Sequence, residues 1–139
     1  MSTVLADTAE CCLPGTPASV ARARAWLEAW LRALDVKDET VETAAFVLSE
    51  LASNAVKHSR SAGPTGRYHV HLLDVTDALL VSVSDAGGPR MFRPPGTAVL
   101  DDPLAESGRG LALVDRCSDR WWIHGDMNGR TVTAELALT

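Results

Sequence analysis

Long hydrophobic runs are missing from this chain. No apolar stretch approaches the roughly 18 residues that a membrane-spanning helix needs, although hydrophobic residues make up 46% of the 139. The opening Met1-Ser2-Thr3-Val4-Leu5-Ala6-Asp7 lacks the basic start and apolar core of a signal peptide. A basic stripe is missing too. The 13 Lys and Arg are scattered among 18 Asp and Glu, for a formal net charge of −5, so no nucleic acid and no membrane is expected as a partner. A protein or a small molecule is. Cysteine is scarce and odd in number: Cys11, Cys12 and Cys117 make neither a disulfide framework nor a zinc site. Free thiols suit a reducing cytoplasm, the expected location. Repeats and low-complexity segments are absent, and the length is that of one domain, expected over residues 10–139 behind a flexible stretch 1–9.

What remains is patterned. A short edge strand is expected near Ala9–Leu13, then a turn at Pro14-Gly15-Thr16-Pro17. Val20, Ala23, Leu27, Leu31 and Leu34 recur at helical spacing and predict a helix over about 18–34. Trp26 and Trp30, four apart on it, read as packing residues. A second helix is predicted over about 40–59, with Val41, Ala44, Leu48, Leu51 and Ala55 as its buried stripe, ended by Gly63-Pro64. Alternation in 67–75 (Tyr68, Val70, Leu72 inward) and 78–84 (Leu79, Val81, Val83 inward) predicts a hairpin turning at Thr76-Asp77. Residues 86–106 carry prolines 89, 94, 95 and 103 and read as a long loop of the kind that forms lids or binding sites. A short helix over about 110–117 and strands over about 120–124 and 130–138 close the chain. The expected fold is α+β, a two-layer sandwich with a mostly antiparallel, mixed sheet and helices on one face.

Three segments carry chemistry. Glu50, Asn54 and His58 are each four apart, so they climb one side of the second helix, beside its buried stripe. Polar groups at such a margin line clefts. An amide oxygen such as that of Asn54 is a neutral hard ligand for Mg²⁺. A carboxylate one turn earlier, Glu50, can orient or deprotonate an attacking hydroxyl, and His58 can donate to a phosphate oxygen. Asp85 ends a strand before Ala86-Gly87-Gly88; a carboxylate there, with glycines that admit a flat ligand, suits an exocyclic amine such as that of adenine. Gly108-Arg109-Gly110-Leu111 opens the short helix, where free N–H groups favour a phosphate. Neither a dinucleotide fingerprint nor a Gly-Lys-Ser/Thr phosphate loop is present.

In this order and spacing, the three segments resemble the boxes of the Bergerat-fold ATPases, and most closely those of the stand-alone anti-sigma-factor serine kinases. Glu50-x-x-x-Asn54-x-x-x-His58 looks like the N-box, Asp85-x-Gly87 like the adenine box, and Gly108-Arg109-Gly110-Leu111 like the lid box; Gly129-Arg130-Thr131-Val132-Thr133-Ala134-Glu135-Leu136 is similar to the family's last strand. The resemblance implies a histidine-kinase-like ATP-binding fold with ATP and Mg²⁺ as cofactors. It makes Glu50 the general base, Asn54 the Mg²⁺ ligand and Asp85 with Gly87 the adenine site, with His58, Gly108, Arg109, Gly110 and Leu111 on the phosphates. It implies a serine/threonine kinase of an anti-anti-sigma-type (STAS-like) partner that also sequesters a sigma factor. Where the fuller adenine box has a second glycine this chain has Pro89, which stiffens the loop and removes a backbone donor. A non-catalytic module that uses nucleotide only to choose its partner is the other reading.

Two features fall outside that site. His69 and His71 share one face of a strand without a third ligand at fixed spacing and read as an exposed face. Trp121 and Trp122 must point to opposite faces; the exposed one is a candidate contact for a partner or a homodimer.

Overall fold

A computed structural model describes residues 7–59, 61–88, 112–126 and 128–138. The chain opens with strand β1 (Asp7–Gly15), followed by helices α1 (Pro17–Ala33) and α2 (Asp38–His58), the hairpin β2 (Gly63–Val75) and β3 (Ala78–Asp85), and the hairpin β4 (Arg120–Asp126) and β5 (Gly129–Ala137). Residues 112–117 are helical. The five strands form one sheet in the order β1-β2-β3-β5-β4. All four pairings are antiparallel, so the expected parallel element of a mixed sheet is not among them.

Local chemistry explains the helices. Pro17 sits in the first turn of α1, where its missing N–H costs nothing, and Asp35, in the left-handed region at φ 59°, turns the chain after it. Helix α2 carries Asp38 and Glu39 in its first turn and Lys57 and His58 in its last, each on the side its dipole favours. The buried stripes are those the spacing predicts: Ala23, Leu27 and Leu31 on α1 and Val41, Ala44, Leu48, Leu51 and Ala55 on α2. They pack on Tyr68, Val70, Leu72, Leu79, Val81, Val83, Val132, Ala134 and Leu136 of the sheet. Trp26 and Trp30 cover the edge of this core. Buried Tyr68 is held to buried Ser19 by a 2.7 Å hydroxyl pair that ties β2 to the start of α1.

Two boundaries differ from expectation. Strand β1 begins at Asp7 and runs through Pro14-Gly15 before the chain turns, pairing Pro14 with Arg67 and Gly15 with Gly63 across a bulge. An edge strand has one side free of partners, so a proline fits there. Gly63-Pro64 lies in the first turn-out of β2, four residues beyond Ser59, rather than capping α2. Gly15 and Gly66 flank the Ser61 carbonyl so closely that a Cβ on either would overlap it. Among the described residues no helix is long and apolar enough to cross a membrane. The three cysteines are free, and among the described residues no group of His, Cys, Asp and Glu is placed to hold a metal ion.

Candidate functional site

Helix α2 lies across β3, and the polar stripe predicted on it emerges at the margin of the core. Asn54 is buried (5% exposed), whereas Glu50 and His58 are half-buried. Among the described residues Asn54 Nδ2 has no hydrogen-bond partner. A buried, unpartnered amide is costly unless something fills its place, and it is the donor–acceptor group that the sequence singles out for a metal–nucleotide complex. Away from that stripe on α2, Glu42 is exposed and Ser49 and Ser53 half-exposed.

Asp85 arrives by period-two alternation. It follows Leu79, Val81 and Val83 on the inward face of β3, so its carboxylate points to the helix layer although the residue ends the strand. Its side chain is 3% exposed. Oδ1 accepts the Gly87 N–H at 2.6 Å, closing a turn in which Gly87 takes φ 74°. Burial pushes the Asp85 carboxyl above its ordinary range; the Gly87 hydrogen bond and the Arg130 guanidinium pull back against it.

Two members of this cluster were not singled out from sequence. Arg130 stands directly across from Asp85 in the β3–β5 register. It is 5% exposed, with Nε 3.7 Å from Asp85 Oδ1. The signal was available: Arg130 is in phase with inward-facing Val132, Ala134 and Leu136, just as Asp85 is with Val83. The second is Ser61, 1% exposed, whose Oγ accepts the Ala86 N–H at 2.8 Å. It stitches the chain just after α2 to the turn just after β3. Glycine-flanked Ser61 had no periodic signal to betray it.

The structure thus packs α2, which carries Asn54 and His58, against β3, and ties the chain just after α2 to the Asp85-Ala86-Gly87 turn. Glu50 sits one turn back on the same helix side. Gly108, Arg109, Gly110 and Leu111 lie outside the described residues, as does Pro89. An apolar groove between α1 and α2, bounded by Val20, Arg24, Ser53, Val56 and Lys57, is lined by none of the site residues.

On the far face of the sheet, His69 and His71 are exposed as expected, the latter 3.3 Å from Glu10. The tryptophan pair splits as predicted. Trp121 packs against the core and donates its indole N–H to Asp115, while Trp122 is 40% exposed under the Arg120 guanidinium.

Comparison with known proteins gives a family and a fold. The family model of the histidine kinase-like ATPase domain matches residues 13–136. No curated protein matches. The structure is similar to that of the RsbU and RsbW domains of Rv1364c from Mycobacterium tuberculosis, with a TM-score of 0.72 and 19% identity over 95% of this chain; this chain spans 32% of that one. It is also similar to a chain of the SiaB–SiaC complex from Pseudomonas aeruginosa, with a TM-score of 0.65 and 13% identity, covering 92% of this chain and 88% of that one.

Proposed function

The chain belongs to the histidine kinase-like ATPase family, and from that premise we propose that it is a cytoplasmic kinase that transfers phosphate from Mg²⁺·ATP to a serine or threonine of a small anti-anti-sigma-type partner. The observation that carries the reading is the buried Asn54 Nδ2 without a hydrogen-bond partner, one helical turn from Glu50 and on the helix that packs against β3. The donor set fits the nucleotide. Asp85 offers a buried acceptor for an exocyclic amine beside Gly87, whose N–H it accepts. Asn54 offers a neutral oxygen for Mg²⁺, and His58 a donor for phosphate.

Bound Mg²⁺ would neutralise phosphate charge. Glu50 would orient the partner's hydroxyl and take its proton as the oxygen bonds to the terminal phosphorus and the bond to the ADP oxygen breaks. Gly108, Arg109, Gly110 and Leu111 would hold the phosphates as the sequence resemblance implies. Similarity to a protein solved in a two-protein complex, SiaB–SiaC, supports a protein partner. A sigma factor, sequestered as the same resemblance implies, and a second copy of the chain are further partners of this reading. The half-exposed Trp122 is the candidate contact for either a partner or the second copy.

The test is label transfer. Protein, Mg²⁺ and ATP labelled on the terminal phosphate are incubated with candidate small partners, and labelled serine or threonine is sought. Glu50→Gln keeps shape but loses the basic lone pair, so transfer should fall by about 10²- to 10⁴-fold while ATP affinity changes little. A wild-type protein that binds ATP and a partner yet transfers nothing supports the partner-choosing module instead. Pro89, by its stiffening of the loop after Asp85, is what favours that second reading. Restoring glycine there would then restore transfer.

A further inference from the structure

We propose that Arg130 is a positioning residue for base recognition, its guanidinium holding the Asp85 carboxylate as a charged acceptor aimed at the exocyclic amine of the nucleotide. The inference rests on the reading of Asp85 as the base anchor and adds a residue to it. Three observations carry it. Arg130 and Asp85 are direct partners across β3 and β5, so the backbone register fixes their approach. Both side chains are almost wholly enclosed, at 5% and 3% exposed. Arg130 Nε lies 3.7 Å from Asp85 Oδ1, a charge contact inside the fold, and the same Oδ1 accepts the Gly87 N–H at 2.6 Å. Arg130 therefore sets a positive charge beside the carboxylate where water cannot screen it.

The chemistry needs that charge. An enclosed carboxylate tends to take up a proton, because burial penalises its charge. A charged carboxylate accepts an amine hydrogen about twice as strongly as a neutral group does. Burial does push this carboxyl up, and among the described residues Arg130 is the cation that opposes the push, by its charge and by a side-chain hydrogen bond. Helix α2, packed across β3, presents Glu50 and His58 as its titratable groups at this end, and neither contributes to the Asp85 shift. On the strand's own turn the opposing group is the Gly87 N–H. Ser61 braces the next amide, Ala86, so the turn itself is held from the α2 side. Orientation comes from the turn and charge from β5.

Calorimetric titration of ADP without metal, from pH 5.5 to 8.5, tests this on wild type, R130M, R130K, D85N and the D85N/R130M double variant, each checked for native fold by circular dichroism. Affinity falls as pH drops through the Asp85 pKa of the free protein. Removing Arg130 raises that pKa, so the R130M loss begins at higher pH than in wild type, and affinity at neutral pH drops about tenfold. R130K, which keeps the charge, follows the wild-type profile. In the D85N background R130M costs less than twofold, the coupling expected when one residue acts through the other. If R130M does not fold, R130Q, neutral but still a hydrogen-bond donor, takes its place with the same expected profile. A neutral variant with the wild-type pH profile, or with an equal loss in the D85N background, overturns the inference while leaving the base anchor intact. Wild type that binds no ADP overturns the base anchor itself.

Discussion

The two ends of β5 each carry an arginine–carboxylate pair, and they are built in opposite ways. At one end Arg120 of β4 meets Glu135 of β5 with two hydrogen bonds, 2.8 and 3.2 Å, on the outer face of the sheet. At the other, Arg130 of β5 meets Asp85 of β3 at 3.7 Å inside the helix layer. By distance alone the first is the better ion pair. By environment it is the lesser one, because water screens and replaces an exposed pair at little cost, whereas a buried charge has no such replacement. The tight pair lowers the Glu135 carboxyl and raises the Arg120 guanidinium, the ordinary result of a good surface contact. The loose pair leaves Asp85 raised despite its cation. Shifted, buried titratable groups gather at functional sites, so the difference agrees with the proposal that the Asp85 end of the sheet holds the nucleotide.

Arginine removal should give the largest contrast between the two ends. R130M leaves the Asp85 carboxylate enclosed without its cation and should cost about 3 kcal/mol of unfolding free energy in urea. R120M should leave the urea midpoint within error of wild type. Equal losses at the two ends would remove the distinction.

Acid sharpens the comparison with a smaller effect, opposite in sign at the two ends. The folded Asp85 binds its proton more tightly than the unfolded chain does. As pH falls from its raised folded pKa toward the ordinary carboxylate value of about 4, the folded state takes up more proton and Asp85 costs it less. Stability of wild type relative to D85N should therefore rise over that interval. Glu135 has a lowered pKa, so what it contributes is present above the unfolded value and is lost as pH falls through the folded one. Its exposure should make that loss hard to detect. Unfolding midpoints of wild type, D85N and E135Q across pH 7 to 2.5 measure both slopes.

The sequence was most legible where one periodicity ruled. The stripes of α1 and α2 and the inward residues of β2, β3 and β5 were readable because each strand or helix buries one face and exposes the other. The Glu50, Asn54 and His58 stripe was readable for the same reason, as polar residues at the edge of an apolar face. Strand β1 was read too short because Pro14-Gly15 carries a turn signature that an edge position overrides. Arg130 was passed over because a charged residue at the start of a strand ordinarily faces water; that it faces inward depends on pairing with Asp85, a contact 45 residues away in sequence. Ser61 was illegible for a different reason. Its burial comes from the close approach of Gly15 and Gly66 around its backbone, and its own side chain has no pattern to join.

Nucleotide titration with and without Mg²⁺, compared between Asp85→Asn and Asn54→Ala, tests the central claim most directly. Asp85 is read as contacting the base and Asn54 the metal. Asp85→Asn should therefore weaken ADP and Mg²⁺·ATP alike, while Asn54→Ala should weaken Mg²⁺·ATP far more than metal-free ADP. Equal losses in the two variants would contradict the division of roles, and a wild-type protein that takes up neither nucleotide at millimolar concentration would contradict the site itself.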